Sequence, residues 1–131
     1  MTELIKKLLG LKTLFLLGLT YTLFITTAFL LPISEIPKDG IFNDKAIHVI
    51  LYIVLSFIWL LYYYVFNKRN IKLNNVIITL MLCFIYGIII ESIQELFLTS
   101  RHADILDILA NTIGSVIGTL VFWNVKNRIK T

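Results

Sequence analysis

The sequence has few charged residues and a single cysteine, and each shortage excludes a class of protein. Charged residues make up 15% of the 131 residues, whereas a soluble domain carries about 25%. Because Cys83 is the single cysteine, neither an intramolecular disulfide nor a cysteine-rich metal site is possible. The chain also contains no glycine-rich phosphate loop and no Ser-x-x-Lys pair, so two common signatures of nucleotide binding and of serine nucleophiles are missing.

Long apolar runs dominate what remains. Hydrophobic residues account for 58% of the chain, and the mean hydropathy is +0.86, as in an integral membrane protein. A helix needs roughly 20 apolar residues to cross a bilayer, and we predict such helices at residues 13–31, 46–66, 76–98 and 105–125. The first run is longer than the h-region of a signal peptide and has no clear small-x-small cleavage site, so we expect it to be retained. The sequence therefore predicts an all-α fold, with one transmembrane four-helix bundle over residues 1–131.

The charges are divided unequally between the two ends of these predicted spans. The N-terminus, the loop after the second span and the C-terminus hold nine basic residues and one acid, whereas the opposite ends hold three bases and seven acids. By the positive-inside rule, both termini are expected in the cytoplasm. The net charge of +4 then reflects orientation and contact with anionic lipid headgroups, and we expect no nucleic-acid partner.

Polar residues recur on one face of three spans, all near the end opposite the basic one. They follow helical spacing, and we call them the polar cup: Lys45, His48, Tyr52, Glu91, Gln94, Arg101, Asp104, Asp107 and Asn111. An acid inside an apolar helix costs about 2.5–3.5 kcal/mol at mid-membrane, so several on matched faces indicate a use. The other halves of these spans contain no Asp, Glu, Lys, Arg or His, which favours a cup that opens outward over a channel.

The cup residues resemble the pattern of the VanZ-like family. The resemblance is carried by Asp44-Lys45-x-x-His48-x-x-x-Tyr52, by Tyr86-Gly87-x-x-x-Glu91-x-x-Gln94 and by Arg101-x-x-Asp104-x-x-Asp107-x-x-x-Asn111-x-x-Gly114-x-x-x-Gly118. It covers about the last two thirds of the chain, and the first span matches only as a hydrophobic segment. The resemblance implies a small bacterial membrane protein of the cell envelope, an accessory factor in tolerance to glycopeptides such as teicoplanin.

Each residue of the pattern carries a role that we predict. His48 and Glu91 are the candidate acid/base residues. The predicted ligand-binding residues are Lys45, Tyr52, Gln94, Arg101, Asp104, Asp107 and Asn111. Arg101 suits a carboxylate or phosphate, and Asp107 is its expected partner within the chain. Asp44, Gly87, Gly114 and Gly118 are predicted to be structural, Asp44 as a possible N-cap and the glycines as close helix contacts.

Three functions remain open at this point. The first is a non-catalytic envelope protein that binds a lipid-linked cell-wall precursor or another amphiphile in the outer leaflet. The second is an integral-membrane enzyme that modifies such a substrate by acid/base chemistry, and the third is a transporter, which the absence of ionisable groups in the inner halves disfavours. A metal at His48, Glu91 and Asp107 matches no standard ligand spacing, so we expect neither a metal nor a cofactor; the oligomeric state is open.

Overall fold

The described residues form an entirely helical structure. The computed structural model describes residues 3–31, 41–98 and 103–129, without the side chains of residues 41–43 and 129. Within these ranges there is no β-strand, and the helices are α1 Glu3–Leu8, α2 Leu11–Leu30, α3 Ile41–Phe66, α4 Leu73–Phe97 and α5 Ile105–Ile129. The last four are long and apolar enough to cross a membrane, which confirms the predicted all-α class with four spans. Arg101 lies outside the described residues.

The helices extend beyond the apolar runs from which they were predicted. Helix α3 begins at Ile41 instead of near residue 46, α4 begins at Leu73 instead of near 76, and α5 continues past residue 125 to Ile129. Hydrophobicity marks where lipid contact ends, but a helix continues as long as its backbone can hydrogen-bond. Asp44 consequently lies inside the first turn of α3 and not at an N-cap position.

Two core clusters show that the four long helices run alternately up and down. One cluster combines the beginnings of α2 and α4 with the far parts of α3 and α5: Leu14, Val76, Tyr64 and Phe122. The other combines the later part of α2 with the first half of α3 and the second half of α4: Phe29, Tyr52 and Ile90. The basic ends of the helices therefore lie together, and the cup residues that the structure describes lie at the opposite end of the bundle.

Close packing of α5 on α3 depends on two glycines. A Cβ atom at Gly114 would overlap the carbonyl oxygen of Val49, and one at Gly118 would overlap the Ile53 carbonyl and the Ser56 hydroxyl. Only residues without a side chain allow the two backbones to approach this closely, as at other helix interfaces in membranes. This contact places α5 at the depth where its polar stripe meets His48 and Tyr52 of α3.

The outer faces of the long helices are apolar and exposed. Leu16, Leu23 and Phe24 on α2 are each more than half exposed, as are Met81 and Leu82 on α4. Surface of this kind is unfavourable in water, but it is the surface that a bilayer covers. Contact with membrane lipids therefore follows from the fold.

Candidate functional site

His48 lies at the centre of the cup and is almost completely buried. Its side chain is in contact with three helices: Nδ1 is 2.8 Å from Oδ1 of Asn111, and the ring stacks on Phe29 with centroids 4.6 Å apart. When Nδ1–H donates to the amide oxygen, Nε2 is left facing Oδ2 of Asp107 at 3.8 Å and Oδ1 of Asp44 at 3.9 Å. The imidazole is thus held in one orientation, with Nε2 directed toward the carboxylates of Asp44 and Asp107. This arrangement suits proton transfer, or ligand binding in which the carboxylates take part.

Lys45 connects the carboxylates at the mouth of the cup. Its ammonium group donates to Oδ1 of Asp107 and to Oδ2 of Asp104 at 2.7 Å, and lies 3.7 Å from Oδ2 of Asp44. Exposure of the carboxylate side chains decreases from 53% at Asp44 through 43% at Asp104 to 11% at Asp107. This gradient indicates that the cup opens at the end of the bundle and closes toward His48.

Asp104 combines two functions at the beginning of α5. Its Oδ1 accepts a hydrogen bond from the backbone N–H of Leu106 at 2.9 Å, so it serves as an N-cap. The hydrogen bond from Lys45 lowers the pKa of Asp104 below its ordinary value, and the bond from Leu106 acts in the same direction. Asp104 is therefore ionised at neutral pH, which keeps it available both to the helix and to Lys45.

The polar residues of α4 attach this helix to its two neighbours. Oε2 of Glu91 accepts a hydrogen bond from the Asp104 backbone N–H at 3.2 Å, and the Glu95 carboxylate accepts one from the Ala103 N–H. The Gln94 amide donates to the carbonyl oxygen of Phe29 on α2 at 2.8 Å. Gln94, predicted as a ligand-binding residue, thus makes a helix-to-helix bond.

Two oxygen atoms inside the cup have no hydrogen-bond partner among the described residues. They are Oε1 of Glu91 and Oη of Tyr52, and their side chains are 2% and 0% exposed. Gly87 lies between them on α4, where a Cβ would come within 3.0 Å of Nδ2 of Asn111 and 3.4 Å of the Tyr52 oxygen. Buried polar atoms are usually satisfied, since each unsatisfied one costs about 1–3 kcal/mol, so these two are candidates for contact with a bound molecule.

The carboxylates and His48 also have the spacing to hold a cation. One ligand atom each from Asp44, His48 and Asp107 lies within 4.8 Å of the other two. Lys45, however, already places its ammonium group on Asp107 and close to Asp44. Lys45 therefore already supplies one positive charge at the position where a cation would bind these acids.

Most of the predicted cup comes together. Lys45, His48, Asp107 and Asn111 form one connected group, and Asp104 and Glu91 are joined to it through Lys45 and through the backbone. Asp107 is bonded by Lys45; its expected pairing with Arg101 stays a prediction, because Arg101 lies outside the described residues.

Sequence reasoning missed the contribution of α2. Phe29 covers His48 and accepts the bond from Gln94, but a phenylalanine in an apolar span carries no distinguishing signal. Deeper in the bundle, the Tyr86 hydroxyl is bonded to the hydroxyl of Thr26, and the indole N–H of Trp59 donates to the hydroxyl of Thr22 at 3.1 Å. The spacing of Thr22 and Thr26, four residues apart on one face, could have indicated this second network.

Comparison with known proteins identifies similar sequences. The family model described as VanZ/LLP1 matches residues 8–126. The uncharacterized protein C11E3.10 of Schizosaccharomyces pombe is 29% identical over 79 residues, which cover 60% of this chain and 46% of the yeast protein. The chain thus spans less than half the length of that relative. No solved structure matches the chain significantly.

Proposed function

This chain belongs to the VanZ/LLP1 family, whose model covers nearly all of it, and from this premise we propose that it acts at the cell envelope through its polar cup. The cup binds the polar part of an amphiphile in the outer leaflet or of a cell-wall component such as a lipid-linked precursor. By this binding the protein serves as an accessory factor in tolerance to glycopeptides, teicoplanin in particular. The protein itself is a multi-pass membrane protein.

One observation carries this proposal. His48 and Tyr52 on α3 and Glu91 on α4 are all buried, and Glu91 and Tyr52 each keep an oxygen atom without a partner among the described residues. If the cup only held the helices together, its polar atoms would be expected to satisfy one another. Unsatisfied oxygens on two buried cup residues instead favour recognition of a ligand that donates hydrogen bonds, such as the hydroxyl and amide groups of a cell-wall precursor.

The proposal places the cup on the extracytoplasmic side, because the opposite end of the bundle carries most of the basic residues. This orientation is testable with single cysteines in a Cys83→Ala background. Ala103→Cys lies beside the cup and Asn70→Cys lies in the turn between α3 and α4; both native residues are exposed. A membrane-impermeant thiol reagent should label only Ala103→Cys in intact cells, and labelling of Asn70→Cys alone would reverse the orientation.

The functional test compares glycopeptide susceptibility in a Gram-positive host. Producing the protein should raise the inhibitory concentration of teicoplanin more than that of vancomycin. His48→Ala and Glu91→Gln should abolish the effect at unchanged protein level in the membrane. Glu95→Gln provides the matched control for Glu91→Gln, because Glu95 is an exposed carboxylate on the same helix. The Glu95→Gln variant should remain active. Equal effects on the two drugs, or full activity of both cup variants, would contradict the proposal.

A second function, acid/base catalysis on a lipid-linked substrate, is favoured by the orientation of His48. Asn111 holds Nδ1 while Nε2 faces Asp107, so the imidazole could exchange a proton with a substrate bound near Glu91. The two functions differ in one measurement. Lipid-linked precursors extracted from cells with and without the protein should differ in chemical structure if it is an enzyme, and that difference should disappear with Glu91→Gln. If the chemical structure of the precursors is unchanged, the function is binding and not catalysis.

A further inference from the structure

A second cavity lies at the other end of the bundle, away from the polar cup. It is a cleft of about 440 Å³ between α2, α3 and α4, within the size range of ligand sites, about 300–1,000 Å³. Trp59 and Tyr62 of α3 form its inner wall, and Leu82 of α4 and Phe66 of α3 line its edge. Since Leu82 and Phe66 are more than half exposed, the cleft is accessible from the side of the bundle that lipid covers.

The walls of the cleft are mostly apolar, and several of their polar atoms are already hydrogen-bonded. Tyr86 closes the end nearest the cup through its hydroxyl bond to Thr26, and the Trp59 indole N–H is bonded to Thr22. On α4, the small residues Thr79 and Cys83 face the cleft, where larger side chains would fill it. The hydroxyl of Thr79 is bonded to the backbone oxygen of Asn75. Among the residues that the structure describes, no charged side chain lines the cleft, so its surface suits a hydrocarbon chain.

A polar and basic pocket adjoins the cleft at Phe66, which lines both. This pocket has a volume of about 480 Å³ and is formed by the turn between α3 and α4, with Lys68, Lys72 and three asparagines in its wall. Neither lysine has a carboxylate partner among the described residues. The apolar cleft thus meets, at Phe66, a pocket with two ammonium groups that have no carboxylate partner in the described part of the chain.

The turn holds Lys68 and its neighbour Arg69 in an unusual backbone conformation. Lys68 and Arg69 both have positive φ angles, 54° and 62°, which non-glycine residues rarely adopt. Hydrogen bonds from the Lys68 N–H to the Val65 oxygen at 3.1 Å and from the Arg69 N–H to the Tyr64 oxygen at 2.8 Å keep the turn in place. Glycine is the usual residue at such a helix end, so the basic side chains occupy positions that local conformation alone would not favour.

We propose that this composite site binds an anionic phospholipid of the adjacent leaflet, with one acyl chain in the cleft and the phosphate against Lys68 and Lys72. The order of the two pockets matches that of the lipid, because the apolar part lies at membrane depth and the basic part lies at the helix ends. Basic pockets at helix ends are known to bind anionic headgroups. This inference is independent of the polar cup and of the function proposed for it.

Tryptophan fluorescence gives a direct test, because one of the two tryptophans in the chain lines the cleft. The Trp123→Phe variant, with Trp59 as its single tryptophan, is reconstituted into vesicles containing brominated phosphatidylglycerol or, at the same mole fraction, brominated phosphatidylcholine. We expect stronger quenching by the anionic lipid. The double variant Lys68→Gln, Lys72→Gln should have a weaker preference for the anionic lipid, by about fivefold for each lysine removed. Lys6→Gln with Lys7→Gln, in α1, is the matched control and should keep the preference.

The Trp59→Phe variant reports on lipid outside the cleft, because its remaining tryptophan, Trp123, is exposed on α5. A selective site predicts a clearly weaker preference for anionic lipid at Trp123 than at Trp59. Equal preferences at both tryptophans would mean general attraction to the basic end and would overturn the proposal, as would a preference that survives loss of Lys68 and Lys72. Failure of both brominated lipids to quench Trp59 would mean that protein covers the cleft, which also contradicts it.

Discussion

Replacing Lys45 should destabilise the protein more than replacing any single acid that it contacts. In Lys45→Gln, the ammonium group that bonds Asp104 and Asp107 and lies near Asp44 is lost. Three carboxylates then remain close together without a cation from α3. In Asp107→Asn, by contrast, Lys45 keeps Asp104 at 2.7 Å and Asp44 at 3.7 Å.

The expected magnitudes follow from burial. Breaking a fully buried ion pair by removing one partner costs about 3–5 kcal/mol, but the Lys45 and Asp107 side chains are 20% and 11% exposed, so solvent screens part of this. We expect a loss of about 2–3 kcal/mol in the free energy of unfolding for Lys45→Gln and about 1–2 kcal/mol for Asp107→Asn. The double variant should lose less than the sum of the two, with a coupling energy of about 1–2 kcal/mol.

The measurement is equilibrium unfolding in detergent micelles, with helical circular dichroism as the signal, for the two single variants, the double variant and the unmodified protein. The exposed pair formed by Lys6 and Glu3 supplies the control cycle, because their side chains are 56% and 91% exposed at an N–O distance of 3.2 Å. Surface pairs of this kind contribute about 0–1 kcal/mol, so Glu3→Gln and Lys6→Gln should be nearly additive.

Strict additivity of Lys45→Gln and Asp107→Asn would refute this reasoning, since it would mean that the two side chains do not interact. A larger loss for Asp107→Asn than for Lys45→Gln would also refute it, because Lys45 could not then be the shared partner of several carboxylates. If the control cycle showed equal coupling, burial would not be the source of the effect.

Three further predictions concern other contacts. Gly118→Ala should lower stability by about 1–3 kcal/mol through overlap with α3; an unchanged midpoint of thermal unfolding would argue against the close helix contact. Lys45 lowers the pKa of Asp104 in the folded state. The stability that the Asp104 carboxylate contributes is therefore complete when the pH is above its pKa in the unfolded chain, and it is lost as the pH falls through its pKa in the folded protein. Unfolding midpoints should therefore decrease as the pH falls below about 4, and less so in Asp104→Asn, which keeps the cap; identical pH profiles would exclude this linkage. Phe29→Leu should weaken teicoplanin tolerance while the protein stays in the membrane, because His48 loses its stacking partner, and unchanged tolerance would show that the stack is dispensable.

Much of the cup could be predicted because its residues follow helical spacing at corresponding depths of alternating helices. His48 and Asn111 meet as the polar stripes of their helices suggested, and Gly114 and Gly118 provide the close approach. Partner choice could not be predicted, because several cations lie near several acids in sequence. Lys45 contacts Asp107 only through the rotation and depth of α3 against α5, which no local pattern encodes.

The sequence by itself determined the membrane class, the all-α fold and the alternating order of four long helices. These follow from the lengths of apolar runs and from helical periodicity, which are local properties that a bilayer enforces by excluding unpaired backbone groups. Only the tertiary structure decided that Phe29 covers His48, that oxygens of Glu91 and Tyr52 lack partners among the described residues, and that a cleft beside Trp59 leads to Lys68 and Lys72. Each of these depends on how helices separated in sequence rotate and pack against one another, and that arrangement is fixed by contacts between helices and not by the pattern of any one of them.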